Sequence, residues 1–178
     1  MSRHQPVRGA TSTTFLPLSN ITDGADPMAG LKLEMNFQLR VRGPMPATPG
    51  SPAGEHIYWE MSEGTLEGPR IKAHIAMPGG DWFRQGADGF GRPDVRIQFV
   101  TDDDAVVLLH YTGLVEMNDT FNRARAGKET RFEDHYMRMA MRFEAGAPHY
   151  AWLNHHLFVA EGRLTGRDRI EYRIYRVT

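Results

Sequence analysis

From position 31 to position 42 apolar and polar residues alternate without a break. Leu31, Leu33, Met35, Phe37, Leu39 and Val41 stand against Lys32, Glu34, Asn36, Gln38, Arg40 and Arg42. Successive side chains of an extended strand point to opposite faces, so a period of two predicts a long strand with one buried face. Shorter stretches repeat the pattern at 57–61, 93–100 and 105–111. Residues 70–77 place Ile71, Ala73, Ile75 and Met77 on one face, and 133–144 set Met137, Met139, Met141 and Phe143 against Tyr136, Arg138 and Arg142. Residues 150–161 read as a long apolar strand and 169–177 as the last one. Residues 115–131 are the helix candidate, with Val115, Phe121 and Ala124 apolar among charges and an end at Gly127.

Turn chemistry separates these runs. Residues 63–69, with two glycines and a proline, read as a turn, and Pro78-Gly79-Gly80 reads as a strand end. The segment 43–54 holds four prolines and three glycines and is expected to be a loop, longer than a usual hairpin connection and placed to act as a lid. Residues 1–30 show no sustained period and are expected to form a mobile arm, with Phe15, Leu16 and Leu18 able to dock on a neighbour. About eight strands with short connections predict antiparallel neighbours, and closing the sheet removes its edges. The expected fold is all-β: a closed antiparallel β-barrel spanning 31–178 with one short helix, a two-sheet sandwich being the alternative.

Composition narrows the function classes. At 178 residues the chain can bury roughly 70% of the surface its unfolded form exposes, enough for a core or a barrel with a cavity. A net charge of −1 gives no general surface for nucleic acid or an anionic membrane. With no cysteine there is neither disulfide nor thiolate chemistry. No apolar run is long enough for a spanning helix and no apolar stretch follows the charged start, so a cytoplasmic protein is expected. The histidines show no ligand spacing, and the adjacent His155 and His156 face opposite ways on a regular strand, so no metal site is expected. Phosphate loops, dinucleotide fingerprints and nucleophile elbows are absent.

Candidate chemistry gathers between Pro78 and Gly113. Asp81 follows two glycines and precedes Trp82; it is either a carboxyl raised by desolvation to act as general acid or base, or a turn cap. His110 and Tyr111 point opposite ways, so one of them faces inward, to shuttle a proton or to stabilise an oxyanion. Asp94 and Arg96 share a face, and inward they would hold an anion; yet Val95, Ile97 and Phe99 make the other face apolar, and parity alone puts Arg96 outside. Ten methionines, many in strand patterns, together with Trp59, Trp82 and Trp152, suggest an apolar pocket.

An ordered set of short motifs carries a resemblance. Glu-Gly-Pro-Arg-Ile from Glu67, Pro-Gly-Gly-Asp-Trp from Pro78, Asp-Val-Arg from Asp94 and Thr-Asp-Asp-Asp-Ala from Thr101 are followed by Arg-Phe-Glu-Ala-Gly from Arg142 and Tyr-Ala-Trp-Leu-Asn from Tyr150. Over about 31–177 the chain resembles the Domain of Unknown Function 3237 family of small bacterial and fungal proteins. The resemblance implies a closed antiparallel barrel broadly like lipocalin and allene-oxide-cyclase barrels, and it keeps Asp94 and Arg96 among the site candidates. The sequence departs from the family at two positions: an alanine is missing between Gly80 and Asp81, and Asp104 stands where glycine is usual. Both departures are read as turn positions.

The expectation is therefore an enzyme without metal or cofactor. It would move a proton on a small hydrophobic, aromatic or polyketide-like molecule, by isomerisation, cyclisation, hydration or elimination. Asp81, Tyr111, His110 and Arg96 are the catalytic candidates, and Trp82, Trp152, Asn154, Asp94, Met137 and Met139 the substrate-binding ones. A carrier barrel without turnover and a structural or interaction domain are the alternatives, and a homodimer is expected.

Overall fold

A computed structural model describes residues 29–46, 48–52, 56–128 and 130–178. Residues 1–28, with Phe15, Leu16 and Leu18, and part of the proline-rich loop lie outside the described residues. Nine strands are present among the described residues: β1 (Leu31–Pro46), β2 (His56–Gly68), β3 (Ile71–Gln85), β4 (Phe90–Arg92), β5 (Asp94–Thr101), β6 (Val106–Glu116), β7 (Met137–Ala145), β8 (Phe158–Leu164) and β9 (Arg169–Val177). One helix, α1 (Asp119–Arg125), follows β6.

Every pairing is antiparallel. Eight strands run in a ring, β1–β2–β3–β5–β6–β7–β8–β9 and back to β1, and the short β4 bridges β3 and β6 at one rim. This is a closed eight-stranded antiparallel β-barrel. Its interior is lined by the inward set of each strand. Phe37 packs edge-on to Phe99 at 5.3 Å and stacks on Tyr172 at 6.0 Å, and all three are buried. No helix among the described residues is long and apolar enough to cross a membrane.

Several boundaries differ from the sequence expectation. The turn expected at 63–69 is mostly strand: Gly64 lies inside β2, where a Cβ would run into the Gln38 carbonyl oxygen, so this glycine serves close strand approach. β3 continues through Pro78-Gly79-Gly80 and does not end there. β1 likewise continues to Pro46. Residues 150–161 are not one strand. Pro148–Leu153 forms a short 3₁₀ helix that buries Tyr150 and Leu153, three residues apart and so on one side of it, and β8 starts at Phe158. The helix is shorter than 115–131 because Val115 continues the inward set of β6. Asn118 caps α1 through its side chain, and Gly127 ends it at a φ of 88°.

The two ends of the barrel differ. At one end the 3₁₀ helix plugs the interior and is tied down at Asp103. The Tyr150 hydroxyl donates to Asp103 Oδ1 at 2.8 Å, the Thr101 hydroxyl donates to the same oxygen at 2.6 Å, and His149 Nε2 lies 2.6 Å from Oδ2. The hydrogen bonds from Thr101 and Tyr150 hold the Asp103 carboxyl down at about 2. At the other end, α1 lies beside an open mouth.

Asp104, in the turn between β5 and β6, has a φ of 62° and is the one non-glycine residue with positive φ among those described. Glycine adopts this conformation without a Cβ penalty, and aspartate tolerates it at a cost. Asp104→Gly is expected to stabilise the fold by about 1 kcal/mol, read as a higher urea midpoint at unchanged slope.

Candidate functional site

Strand parity decides which side chains reach the interior. β3 pairs with β5 as Ile75 with Phe99, Met77 with Gln98 and Gly80 with Arg96, so each of two register shifts inserts one extra β3 residue. A single shift would turn every later side chain to the other face. Two restore the parity. Met77, between them, is turned outward and is 69% exposed, while Asp81 and Phe83 return to the inward face of Ile71 and Ala73. The glycines make this possible: a Cβ on Gly79 would collide with the Arg96 carbonyl oxygen, and one on Gly80 would meet the Tyr58 ring at 2.7 Å. Asp81 thus sits within a strand, not at the turn expected for the missing alanine.

A cavity of about 140 Å³ occupies the open half of the barrel. Its walls are largely apolar, with Trp59, Met61, Phe83, Val115 and Met137 among them. Asp81, Tyr111 and Tyr172 supply the polar groups of the interior, and each is buried. The Tyr111 and Tyr172 rings meet edge to face at 5.8 Å. Tyr172 lies over Gly162, where any Cβ would strike its ring.

Asp81 is 7% exposed. Burial pushes its carboxyl up to about 7, the Asp94 N–H donated to Asp81 Oδ1 at 2.9 Å draws it back, and the negative charge of Asp94 raises it again. The phenols of Tyr111 and Tyr172 are raised by burial and by their closeness to Asp81. A carboxyl that titrates near neutrality therefore faces two phenols that remain protonated. Such a set can accept a proton from carbon or oxygen and donate hydrogen bonds to the oxygen that gains charge.

The structure brings Asp81, Tyr111 and Met137 to this cavity and leaves the other sequence candidates elsewhere. Asp94, Arg96 and His110 point out of the barrel, as the inward burial of Val95, Ile97, Phe99 and Tyr111 requires. There Asp94 Oδ1 lies 3.0 Å from His110 Nε2 and 3.3 Å from Arg96 Nη1, and the Arg96 side chain is 59% exposed. Trp82, next to the inward Asp81, is outside against Tyr58 at 5.5 Å. Trp152 belongs to the closing 3₁₀ helix and lies under the Arg70 guanidinium at 3.6 Å. Asn154 bonds both backbone groups of Ala145 at 2.8 Å and so fastens the end of β7. Met139 is buried in the core and does not line the cavity. Arg96, His110, Trp82, Trp152, Asn154, Asp94 and Met139 are therefore not cavity groups. Among the described residues no three His, Asp or Glu side chains form a group able to hold a metal ion.

Tyr172, Arg125 and Arg167 are among the cavity residues that the sequence did not single out. Tyr172 was readable, since Ile170, Tyr172 and Ile174 alternate with Arg169, Glu171 and Arg173. Arg125, at the end of α1, and Arg167, in the turn before β9, gave no periodic signal.

The family model described as "Protein of unknown function (DUF3237)" matches residues 30–177. The chain belongs to the DUF3237 family. Solved structures similar to this DUF3237 chain include a conserved protein of unknown function from Rhodopseudomonas palustris, at 22% identity and a TM-score of 0.75, covering 86% of this chain and 100% of that one. A β-barrel-like protein from Acinetobacter baumannii AYE is 25% identical with a TM-score of 0.70, covering 86% and 99%. An enzyme from Penicillium herquei is 19% identical with a TM-score of 0.62, covering 87% and 99%. No curated protein matches the chain.

The raised Asp81 carboxyl has a consequence for stability. Its unfolded-state value is 3.8 and its folded value about 7, so the folded protein binds the proton more tightly. The pH-dependent part of the cost of burying this group is absent below pH 4, grows as pH rises and is complete above pH 7. Asp81→Asn removes it and is expected to stabilise the protein at pH 8 by up to about 4 kcal/mol, the advantage shrinking to nothing by pH 4. Urea unfolding of both proteins at pH 4, 6 and 8 measures it, and an advantage independent of pH would show that Asp81 is not raised.

Proposed function

We propose that this barrel is an enzyme that moves a proton on a small, largely apolar molecule, in an isomerisation, cyclisation, hydration or elimination. The observation that carries this reading is the Asp81 carboxyl, titrating near 7 in an apolar cavity beside the Tyr111–Tyr172 pair. A carboxylate with that proton affinity is a strong enough base to act near neutral pH and still releases the proton afterwards. Asp81 is the general base. The Asp94 N–H on one oxygen fixes the carboxylate's orientation and leaves the other for the substrate proton. The Tyr111 and Tyr172 hydroxyls stabilise the enolate or alkoxide that forms.

Cavity size limits the substrate. An apolar cavity of roughly 150 Å³ holds one benzene ring, and this one is about 140 Å³. One ring, or one ring of a larger molecule extending through the mouth, fits the interior. The Penicillium herquei enzyme shows that a protein of this fold has been described as catalytic, which supports an enzymatic reading at the level of fold.

The test is a thermal-shift screen of phenols, aryl ketones, lactones, enones and small carboxylates, with mass analysis of every mixture that stabilises the protein. A ligand at 100 times its dissociation constant stabilises by about 2.7 kcal/mol, which is readily seen. A consumed ligand is the expected result, whereas ligands that bind and return unchanged would favour a carrier. With a substrate in hand, kcat/KM should rise with pH through about 7. Asp81→Asn should lower kcat by a factor of about 10³, and Tyr111→Phe by about 10². A folded, fully active Asp81→Asn protein removes Asp81 from the chemistry.

A further inference from the structure

The cavity carries an unbalanced charge. Its charged lining residues are Asp81 inside and two arginines, Arg125 and Arg167, at the open end. Arg125 is half-buried at the end of α1, with its guanidinium 4.8 Å over the Trp59 ring; Arg167 is exposed in the turn between β8 and β9. Neither has a carboxylate within ion-pair distance among the described residues. Some other arginines do: Arg40 reaches Asp168, Arg163 reaches Glu171 and Arg176 reaches Glu34, whereas Arg84 and Arg142, which do not line the cavity, also lack one. Asp168 sits beside Arg167 in sequence, yet its carboxylate lies 3.2 Å from Arg40.

Arg125 is partly withdrawn from water beside an apolar cavity with no carboxylate partner among the described residues, and an anion in front of it and Arg167 would offset that cost. Both arginines line the same cavity, and burial together with the Arg167 charge lowers the proton affinity of Arg125. Guanidinium groups bind carboxylates through paired N–H donors, and the aromatic support under Arg125 restricts its freedom.

We propose that Arg125 and Arg167 form an anion-binding subsite at the cavity mouth, and that the substrate is a small aromatic or similarly apolar carboxylate. Its ring enters the barrel and its carboxylate stays at the arginines. The inference rests on the proton-transfer reading only for the substrate's orientation: the end far from the carboxylate, which carries the reacting proton and the oxygen that gains charge, is the end presented to Asp81 and the tyrosines. The anion-anchoring role that the sequence suggested for Arg96 falls to residues on two other elements.

Phenylacetate and phenylacetamide, equal in shape and different in charge, test this by calorimetric titration at pH 6, where Asp81 holds its proton and phenylacetate is ionised. The native protein is expected to bind phenylacetate at least about tenfold more tightly. Arg167→Gln and Arg125→Gln should each erase most of that preference and leave phenylacetamide affinity unchanged; Arg125→Lys should keep part of it. Arg167 is exposed, so its variant carries the test even if Arg125→Gln does not fold. Equal affinity for the two probes, or a preference that survives both substitutions, would overturn the subsite. Tighter binding of phenyl phosphate than of phenylacetate would overturn the carboxylate assignment. Asp81→Asn should keep the preference, which separates the two readings: loss of the preference with Asp81-dependent turnover intact defeats the anchor alone, and the reverse result defeats the proton-transfer reading alone.

Discussion

Closure of the barrel is the constraint on which everything else depends. In a ring of eight strands no edge is free to slip, so the inward or outward sense of each side chain is fixed by its neighbours on both sides. β3 is where this constraint is strained. It carries two extra residues against β5, and both are absorbed within a short stretch around Met77 and Pro78-Gly79-Gly80. Two insertions, not one, return Asp81 to the interior. The glycines let the bulged backbone lie against Arg96 and Tyr58. The site is therefore a consequence of how one strand accommodates closure.

The interior that results is asymmetric. The end near Asp103 is plugged and densely hydrogen-bonded, and Asp103 is a well-solvated carboxylate with three partners that favour its charge. Asp81, at the open half, accepts one backbone N–H and is otherwise surrounded by apolar walls and phenols. The two aspartates thus move in opposite directions for reasons visible in their contacts: hydrogen bonding stabilises one charge and desolvation penalises the other. Stability is given up at Asp81, where a neutral residue would pack more favourably, and that is a pattern expected of a site kept for reactivity.

Much of the fold was legible in the sequence because a half-buried strand writes its parity into alternation. β1, β5, β7 and β9 read correctly on that basis, and the same parity argument placed Arg96 outside. It failed where local chemistry imitates something else. Gly64 and Gly79-Gly80 look like turn residues but serve close approach within strands. The apolar run from Tyr150 to Leu153 looks like a strand but belongs to a short 3₁₀ helix. The site was legible only in part. Asp81 and Tyr111 stood out as polar residues near apolar patterns, whereas Arg125 and Arg167 come from separate elements, and only the closed fold brings them to one opening.

The outward position of the Asp94-Val95-Arg96 stretch looks at first unrelated to the cavity, although it is one of the motifs carrying the family resemblance. Besides the β3–β5 ladder, one hydrogen bond runs from this stretch to the Asp81 carboxylate itself. The Asp94 side chain is held on the outer surface by His110 and Arg96, while its backbone N–H passes to the other face and meets Asp81 Oδ1. Fixing the side chain fixes the peptide, and the peptide orients the buried carboxylate. The negative charge of Asp94 also pushes the Asp81 carboxyl upward. The outer cluster therefore reaches the cavity through a backbone contact: Arg96 and His110 hold the Asp94 side chain, and the Asp94 N–H meets Asp81, with none of the three side chains lining the cavity.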